Sequence, residues 1–570
     1  MGTRGRRREP ERRNTRTLVI GAAAVVAVVG AGVGAYALMD SGTGASAAAA
    51  SDDKPKMPSG PPSAAEVHAV ADAFLAAWQS GDAAKAASYT DDVTAAQAAL
   101  TSLAKDARLT GVKVAPGAPA GAKVPFHVTS TVSYEKKAGG PGISKPYAYD
   151  SALTAVRRAS DGKVLVGWQA SVAHPELKDG DRLVTGEAGD PPIKAVDRAG
   201  GELTAKKYPS LGTVIDGLRE KYGKKAGGTA GVELRVVRKE SAGGSGKASE
   251  KNAVPDKTLL TLTEGTPGTV KTTISPSVQT AAEQQVAKRE RASVVVLRPS
   301  TGEILGVANS SPGFNTAFQG SLAPGSTMKV ITSSLLLEKG LAGVDKKHPC
   351  PKYFTYGHWK FQNDDKFQIK NGTFKASFAA SCNTAFISQA PKLDDDSLTK
   401  QAQQVFGLGL NNWAIGVPSF DGSVPVQSEA QMAASLIGQG GVRMNPLNMA
   451  SVAATVKSGT FHQPYLVSPD VDNRALAKAS RTMSAGTVAS LRELMHYTAI
   501  AGTAVKPMAG LGSDMGAKTG SAEVDGQKEP NGWFTAWRGD LASAAVVQQG
   551  GHGGDSAGPI VREMLLNGAG

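Results

Sequence analysis

Ser326 and Lys329, three residues apart, stand where the sequence predicts that a helix begins. The stretch Ala323–Lys339 reads APGSTMKVITSSLLLEK, a Pro-Gly turn at Pro324 and Gly325 followed by good helix formers that stop at Gly340. The spacing predicts a helix with Ser326 in its first turn and Lys329 on the same face. A serine hydroxyl is a poor nucleophile at neutral pH and needs a base beside it. A lysine serves when burial or a second cation lowers its pKa. The helix N-terminus also favours the negative charge of an alkoxide forming at Ser326.

The pair alone is unspecific. Ser-x-x-Lys also begins at Ser51, Ser102, Ser133, Ser160 and Ser397, and a solvated surface pair is the ordinary reading of an isolated match. Two further elements single out Ser326. Downstream lie Ser381-Cys382-Asn383, the one Ser-x-Asn of the chain, and then Lys518-Thr519-Gly520. A second Lys-Ser-Gly at Lys457-Ser458-Gly459 is expected in a turn after Val456. Lys518 is instead followed by Ser521-Ala522-Glu523-Val524 and then Trp533-Phe534, a pattern that predicts a strand pair. Trp533 and Phe534 are expected in the core, and Glu523 in an ion pair or facing solvent.

These elements need a large scaffold. At 570 residues the chain predicts two or three globular units, and 41% hydrophobic residues are enough to fill their cores. The net charge of +13 owes something to the first seventeen residues, which carry seven arginines and two glutamates. Aromatics make up only 5% and do not interleave with basic residues, so nucleic acid is not an expected partner. The eight histidines are scattered, and neither a metal nor an organic cofactor is implied. Cys350 and Cys382 are the only cysteines; outside the cytosol they can pair, and otherwise they stand as two buried thiols.

Read in order, residues 1–17 form a basic cytoplasmic tail and the uncharged run Leu18–Met39 a transmembrane anchor. A cleaved signal peptide competes with the anchor, since Ala45-Ser46-Ala47 resembles a cleavage site. Residues 40–63 read as a flexible linker. From Ala64 to about Ala83, Val67, Val70, Phe74, Leu75 and Trp78 recur at helical spacing. Strands are expected over Val124–Tyr134, Tyr147–Arg157 and Lys163–Ser171, giving a small α+β domain over 64–175. Residues 176–267 predict an irregular, Gly- and Lys-rich pedestal with one helix over Leu211–Lys221 and an exposed loop over Ser241–Lys251. The last unit, 268–570, opens with a strand and helix, then a hairpin turning at Ser300-Thr301-Gly302.

Ser-x-x-Lys, Ser-x-Asn and Lys-Thr-Gly in this order are the elements of serine acyl-transfer enzymes that act on β-lactams and D-Ala-D-Ala peptides. The chain resembles a class B penicillin-binding protein of actinobacterial style, a D,D-transpeptidase that cross-links peptidoglycan. Further stretches carry the resemblance: TISPSVQTAAEQQV, VVVLRPSTGEILGVANSSP, SLIGQGGVRMNPLNMA, and AKTGSAE followed by GWFTAW. Upstream, VGWQASVAHPELKDGDRL and AVDRAGGEL are similar to the family's segments before and inside its pedestal, which doubles as a dimerisation-like domain. AVADAFLAAWQSGDAAKAASY resembles the start of the cone-shaped, nuclear-transport-factor-like domain of some members.

The resemblance implies a multidomain, single-pass membrane protein whose C-terminal domains are extracytoplasmic. Its last domain is expected to have the β-lactamase-like α/β fold, an antiparallel sheet flanked by helices. Ser326 would be the nucleophile, Lys329 its base, and Ser381 and Lys518 the proton relay. Asn383, Thr519, Gly520 and Ser521 would bind substrate, and backbone N–H groups of Ser326 and Ser521 the oxyanion. Implied ligands are stem peptides and β-lactams, and an implied partner is a polytopic glycosyltransferase of the elongation or division machinery.

A D,D-carboxypeptidase, a β-lactamase-like hydrolase and a non-catalytic scaffold or sensor are the alternatives. Class A β-lactamases add a Glu-x-x-Leu-Asn element between the second and third motifs, whereas the match here, Glu563–Asn567, comes after the third.

Overall fold

The computed structural model describes residues 59–135, 142–239 and 256–568. The expected tail, the anchor, most of the linker and the loop Ser241–Lys251 lie outside them. Among the described residues no helix is long and apolar enough to cross a membrane.

Ser63 caps the helix Ala64–Gln79: its hydroxyl accepts from the Glu66 N–H, and the Glu66 carboxylate accepts from the Ser63 N–H at 2.8 Å. Val67, Val70, Phe74, Leu75 and Trp78 are all buried, as their spacing predicts. The helices Ala83–Ala87 and Val93–Lys105 follow, and then an antiparallel sheet whose spatial order is the chain order. Its strands are Leu109–Pro116, Lys123–Tyr134, Ile143–Arg157 and Val164–Val166. In Lys123–Tyr134 every second residue from Val124 is buried, so one face of the sheet packs on the helices, with Phe126 edge-on to Trp78. The strand expected over Lys163–Ser171 ends at Val166, because the chain enters a short helix at Ala170–Ala173.

Residues 176–267, expected as one irregular pedestal, divide between two cores. The strands Arg182–Glu187, Val232–Val237 and Lys257–Thr263 form an antiparallel sheet. Leu183, Leu234, Val236 and Leu262 from that sheet continue the core built on Phe74 and Trp78. The helix Gly212–Tyr222 and the parallel pair Ile193–Val196 and Gly268–Lys271 send Ala195, Leu218, Tyr222 and Val270 into the core of the C-terminal region.

That region is built on a five-stranded antiparallel sheet, in the order Ile304–Asn309, Ala292–Leu297, Leu541–Val547, Asn531–Arg538, Met515–Ala522. Its strands are apolar runs because both faces are covered. Val294 and Val296 point to the side holding the helices Pro276–Val286 and Gly558–Asn567. Val295 and Leu297 point to the side holding Lys329–Glu338, Pro446–Ser458 and most of Ala485–Ala501. This is the helix-flanked antiparallel sheet that the family resemblance implies. The Lys-Thr-Gly motif occupies its edge strand, and the helix behind Ser326 lies in the adjoining core.

Candidate active site

Ser326 does not lie on an α-helix. Gly325–Met328 form a 3-10 turn, and the α-helix runs from Lys329 to Glu338. The tighter winding serves the chemistry, because residues i and i+3 eclipse in a 3-10 turn. Lys329 Nζ lies 2.9 Å from Ser326 Oγ. Gly325 is in the left-handed region at φ +52, and a Cβ there would fall 2.3 Å from the Ser521 carbonyl oxygen. Gly520 is less crowded but still close: its Cβ would meet Pro324 O and Thr327 N at 3.0 Å. These glycines let the edge strand lie against the Ser326 turn.

Lys329 is fully buried, with Nζ 2.7 Å from both the Ser381 carbonyl and Asn383 Oδ1. Burial, and then the nearby Lys518 charge, hold this amine well below the ordinary lysine range, against a weaker upward pull from Glu523. Lys518 is also fully buried and donates to Ser381 Oγ at 2.8 Å and to Thr519 O at 2.9 Å. Burial pushes its ammonium down to about 7. Ser381 Oγ is thus shared between Lys518 and, at 3.4 Å, Lys329.

The Ser-x-Asn turn joins the helices Phe374–Ala379 and Asn383–Ile387, with Ser381 at φ +57. Cys382 is joined to Cys350 by a disulfide, with Cα atoms 6.1 Å apart. One residue held here was not legible in the sequence. Asn363 is 1% exposed, and its Oδ1 accepts from the N–H groups of Asn383 and Thr384 at 2.8 and 3.0 Å.

A cleft of about 460 Å³ opens over these groups, lined by Ser326, Ser381, Asn383, Thr519, Gly520 and Ser521 among others. Thr503, which no sequence pattern marks, reaches the Thr519 hydroxyl at 2.6 Å. Glu523 stands exposed on the cleft wall, where its carboxylate accepts from the Gln439 amide at 2.6 Å rather than pairing with a cation. Glu563 lies in the last helix and is not among the lining residues. Trp533 and Phe534 are fully buried, as expected. Lys457 lies in the last turn of the helix Pro446–Ser458 rather than in a loop, paired with Asp514 at 2.7 Å. Among the described residues no cluster of His, Cys, Asp or Glu could hold a metal ion.

Residues 292–566 match the penicillin binding protein transpeptidase domain model. The chain is 30% identical over 357 residues to the peptidoglycan D,D-transpeptidase PbpA of Mycolicibacterium smegmatis, covering 52% of this chain and 72% of that protein. In fold it is similar to penicillin binding protein 3 of Mycobacterium tuberculosis, with a TM-score of 0.51 at 19% identity, over 67% of this chain and 95% of that one. It is also similar to penicillin-binding protein A of M. tuberculosis, solved as a ceftriaxone acyl-enzyme complex: TM-score 0.50, 20% identity, 73% and 96% covered.

Proposed function

This chain belongs to the penicillin-binding transpeptidases, as a class B penicillin-binding protein, and we infer that it is a peptidoglycan D,D-transpeptidase working through Ser326. The observation that carries the assignment to Ser326 is its hydroxyl, 2.9 Å from a fully buried amine whose pKa burial and a second lysine lower.

In the first half-reaction Ser326 Oγ attacks the carbonyl carbon of the penultimate D-Ala while its proton passes to Lys329 Nζ. Backbone N–H groups of Ser326 and Ser521 hold the oxyanion, a device in which one donor is worth about 3–4 kcal/mol of barrier. The C–N bond to the terminal D-Ala then breaks, and its nitrogen takes a proton relayed through Ser381, which hydrogen-bonds to Lys518. The donor stem remains as an ester on Ser326. In the second half an acceptor amine attacks that ester, a peptide bond forms, and Ser326 recovers its proton. Thr519, with Ser521 beside it and Lys518 adding charge, binds the terminal carboxylate. Asn383 offers its amide to the substrate's peptide groups. A β-lactam reacts along the first half only, its ring amide opening to acylate Ser326.

The remaining readings follow the family. Residues 18–39 anchor the chain with residues 1–17 in the cytoplasm, and the domains beyond the linker are extracytoplasmic. Residues 64–175 form a nuclear-transport-factor-like domain, a reading supported by its helices-then-sheet order. Residues 176–267 act as the pedestal, and a polytopic glycosyltransferase supplies nascent glycan.

Intact mass spectrometry of the protein with benzylpenicillin tests the reading. The expected result is a gain of one penicillin at Ser326 that persists for hours and is absent in Ser326→Ala. An adduct that vanishes in seconds while penicillin is consumed would identify a hydrolase. With no adduct, a D-Ala-D-Ala thioester separates a closed site, which still turns it over, from a scaffold, which does not.

A further inference from the structure

The helix Asn383–Ile387 carries one substrate-binding residue at its first position, yet its N-terminus has no capping oxygen of its own. The residue before it is Cys382, whose disulfide sulfur accepts from the Ala385 N–H at 3.2 Å and leaves the N–H groups of Asn383 and Thr384 to be met from elsewhere. An N-cap ordinarily supplies a side-chain oxygen to the first free N–H groups. Here that oxygen comes from twenty residues upstream. Asn363 Oδ1 accepts from the N–H of Asn383 at 2.8 Å and of Thr384 at 3.0 Å, while the Thr384 hydroxyl donates to the Pro351 carbonyl.

The other end of the same amide is equally occupied. Asn363 Nδ2 donates to the Pro351 and Phe367 carbonyls, both at 2.9 Å, which fixes which end of the amide faces the turn. A buried amide satisfied at both ends has one orientation, and its loss strands several partners at once. Asn363 follows directly on the hairpin Tyr353–Tyr356 and Trp359–Gln362, and Cys350 lies three residues before that hairpin. The Ser-x-Asn turn is therefore gripped from either side of one hairpin by a covalent bond at Cys382 and by a hydrogen-bonded cap at Asn383.

Lys329 Nζ reads the position of that turn directly, through the Ser381 carbonyl and Asn383 Oδ1, both at 2.7 Å. We propose that Asn363 is a positioning residue for acylation: by capping Asn383 and Thr384 in trans it holds Ser381 and Asn383 on Lys329. It touches neither substrate nor Ser326. The proposal rests on the transpeptidase reading of the site.

The test is the acylation rate per active molecule, with benzylpenicillin on the wild-type chain, Asn363→Ala and Asn363→Asp. Active molecules are counted by the final adduct, so partial unfolding does not count as slow chemistry. Asn363→Ala is expected to acylate about tenfold or more slowly with its pH profile unshifted. Asn363→Asp keeps the accepting oxygen, loses the donations to the Pro351 and Phe367 carbonyls, and adds a negative charge one residue removed from Lys329, which favours the protonated amine. Its rate should recover at high pH, while the acid limb of its profile moves to higher pH. Wild-type rates for both variants, with unshifted profiles, would overturn the proposal. If Asn363→Ala does not fold, Asn363→Leu, which keeps the buried volume and lacks the accepting oxygen, decides: slowed acylation with an unshifted profile supports the cap, and a wild-type rate overturns it. If the wild-type chain itself forms no adduct and turns over no thioester, the reading beneath the proposal fails, and the proposal with it.

Discussion

Lys518 donates to the Ser381 hydroxyl at 2.8 Å, so the third motif is wired to the first through the second. Lys329 lies on the far side of the same hydroxyl at 3.4 Å, and both lysines are fully buried. Two ammoniums sharing so small a dry volume cannot both be charged cheaply.

Acylation should therefore follow a bell in pH. Lys329, lowered both by burial and by the Lys518 charge, is the base once a proton has left the pair. Lys518, lowered to about 7 by burial, is the partner whose remaining charge the substrate carboxylate meets. The rate is expected to rise as the first proton leaves the pair and to fall as the second leaves near or above pH 7. A stopped-flow profile of acylation by benzylpenicillin checks this. A rate flat from about pH 5 to 9 would contradict paired titration.

Replacing Lys329 by Met keeps the buried volume and removes the base. Acylation should fall by about 10²–10⁴-fold, the usual worth of a positioned base. The fold should persist, because Met fills the same buried volume, although the Ser381 carbonyl and Asn383 Oδ1 lose their donor and the melting temperature should drop modestly. Parallel adduct kinetics and thermal melts separate the two effects.

Gly325→Ala places a Cβ 2.3 Å from the Ser521 carbonyl in a left-handed conformation. The conformation alone costs about 1–2 kcal/mol for a residue with a side chain, and relieving the contact must push the edge strand away from Ser326. A lowered melting temperature together with slower acylation is expected. A variant that melts lower but acylates normally would show that the strand's position does not matter to the chemistry.

How much of this was legible in the sequence depends on how local the cause is. The pairing of Ser326 with Lys329 follows from three residues of spacing, and the choice of Lys518 over Lys457 from the strand pair that follows it. The 3-10 geometry was not legible, because it arises where Gly325 packs against Ser521 from a strand nearly two hundred residues away. Asn363 and Thr503 were missed for a similar reason: each acts on a motif through folding, not through neighbouring sequence. The expected boundary near 175 read a change in composition, whereas the packing follows apolar alternation in Val232–Val237, which joins the earlier core.

The disulfide Cys350–Cys382 spans 32 residues, and in the chain-entropy account closing such a loop is worth about 3–4 kcal/mol. Because Cys382 sits between Ser381 and Asn383, reduction should loosen the turn as well as the fold. Dithiothreitol, or Cys350→Ser with Cys382→Ser, is expected to lower the melting temperature and slow acylation. Equal acylation with and without the bond would mean that the cap at Asn383 suffices to hold the turn.

His174 makes the upstream core sensitive to acid. It is buried against Tyr149, with Nε2 2.7 Å from the Tyr147 hydroxyl. Burial, and to a lesser extent Lys257, lower its pKa to about 4, while Glu176 pulls weakly the other way. The unfolded chain, with histidine near 6.5, binds more protons between those values, so stability falls as pH drops from 6.5 towards 4 and the effect levels off below. The loss should amount to about 2–3 kcal/mol. Denaturant melts at pH 7 and pH 4.5, compared between the wild-type chain and His174→Phe, isolate this contribution. The wild-type chain should lose more stability than the variant over that interval, and an equal loss would assign the acid sensitivity to other groups.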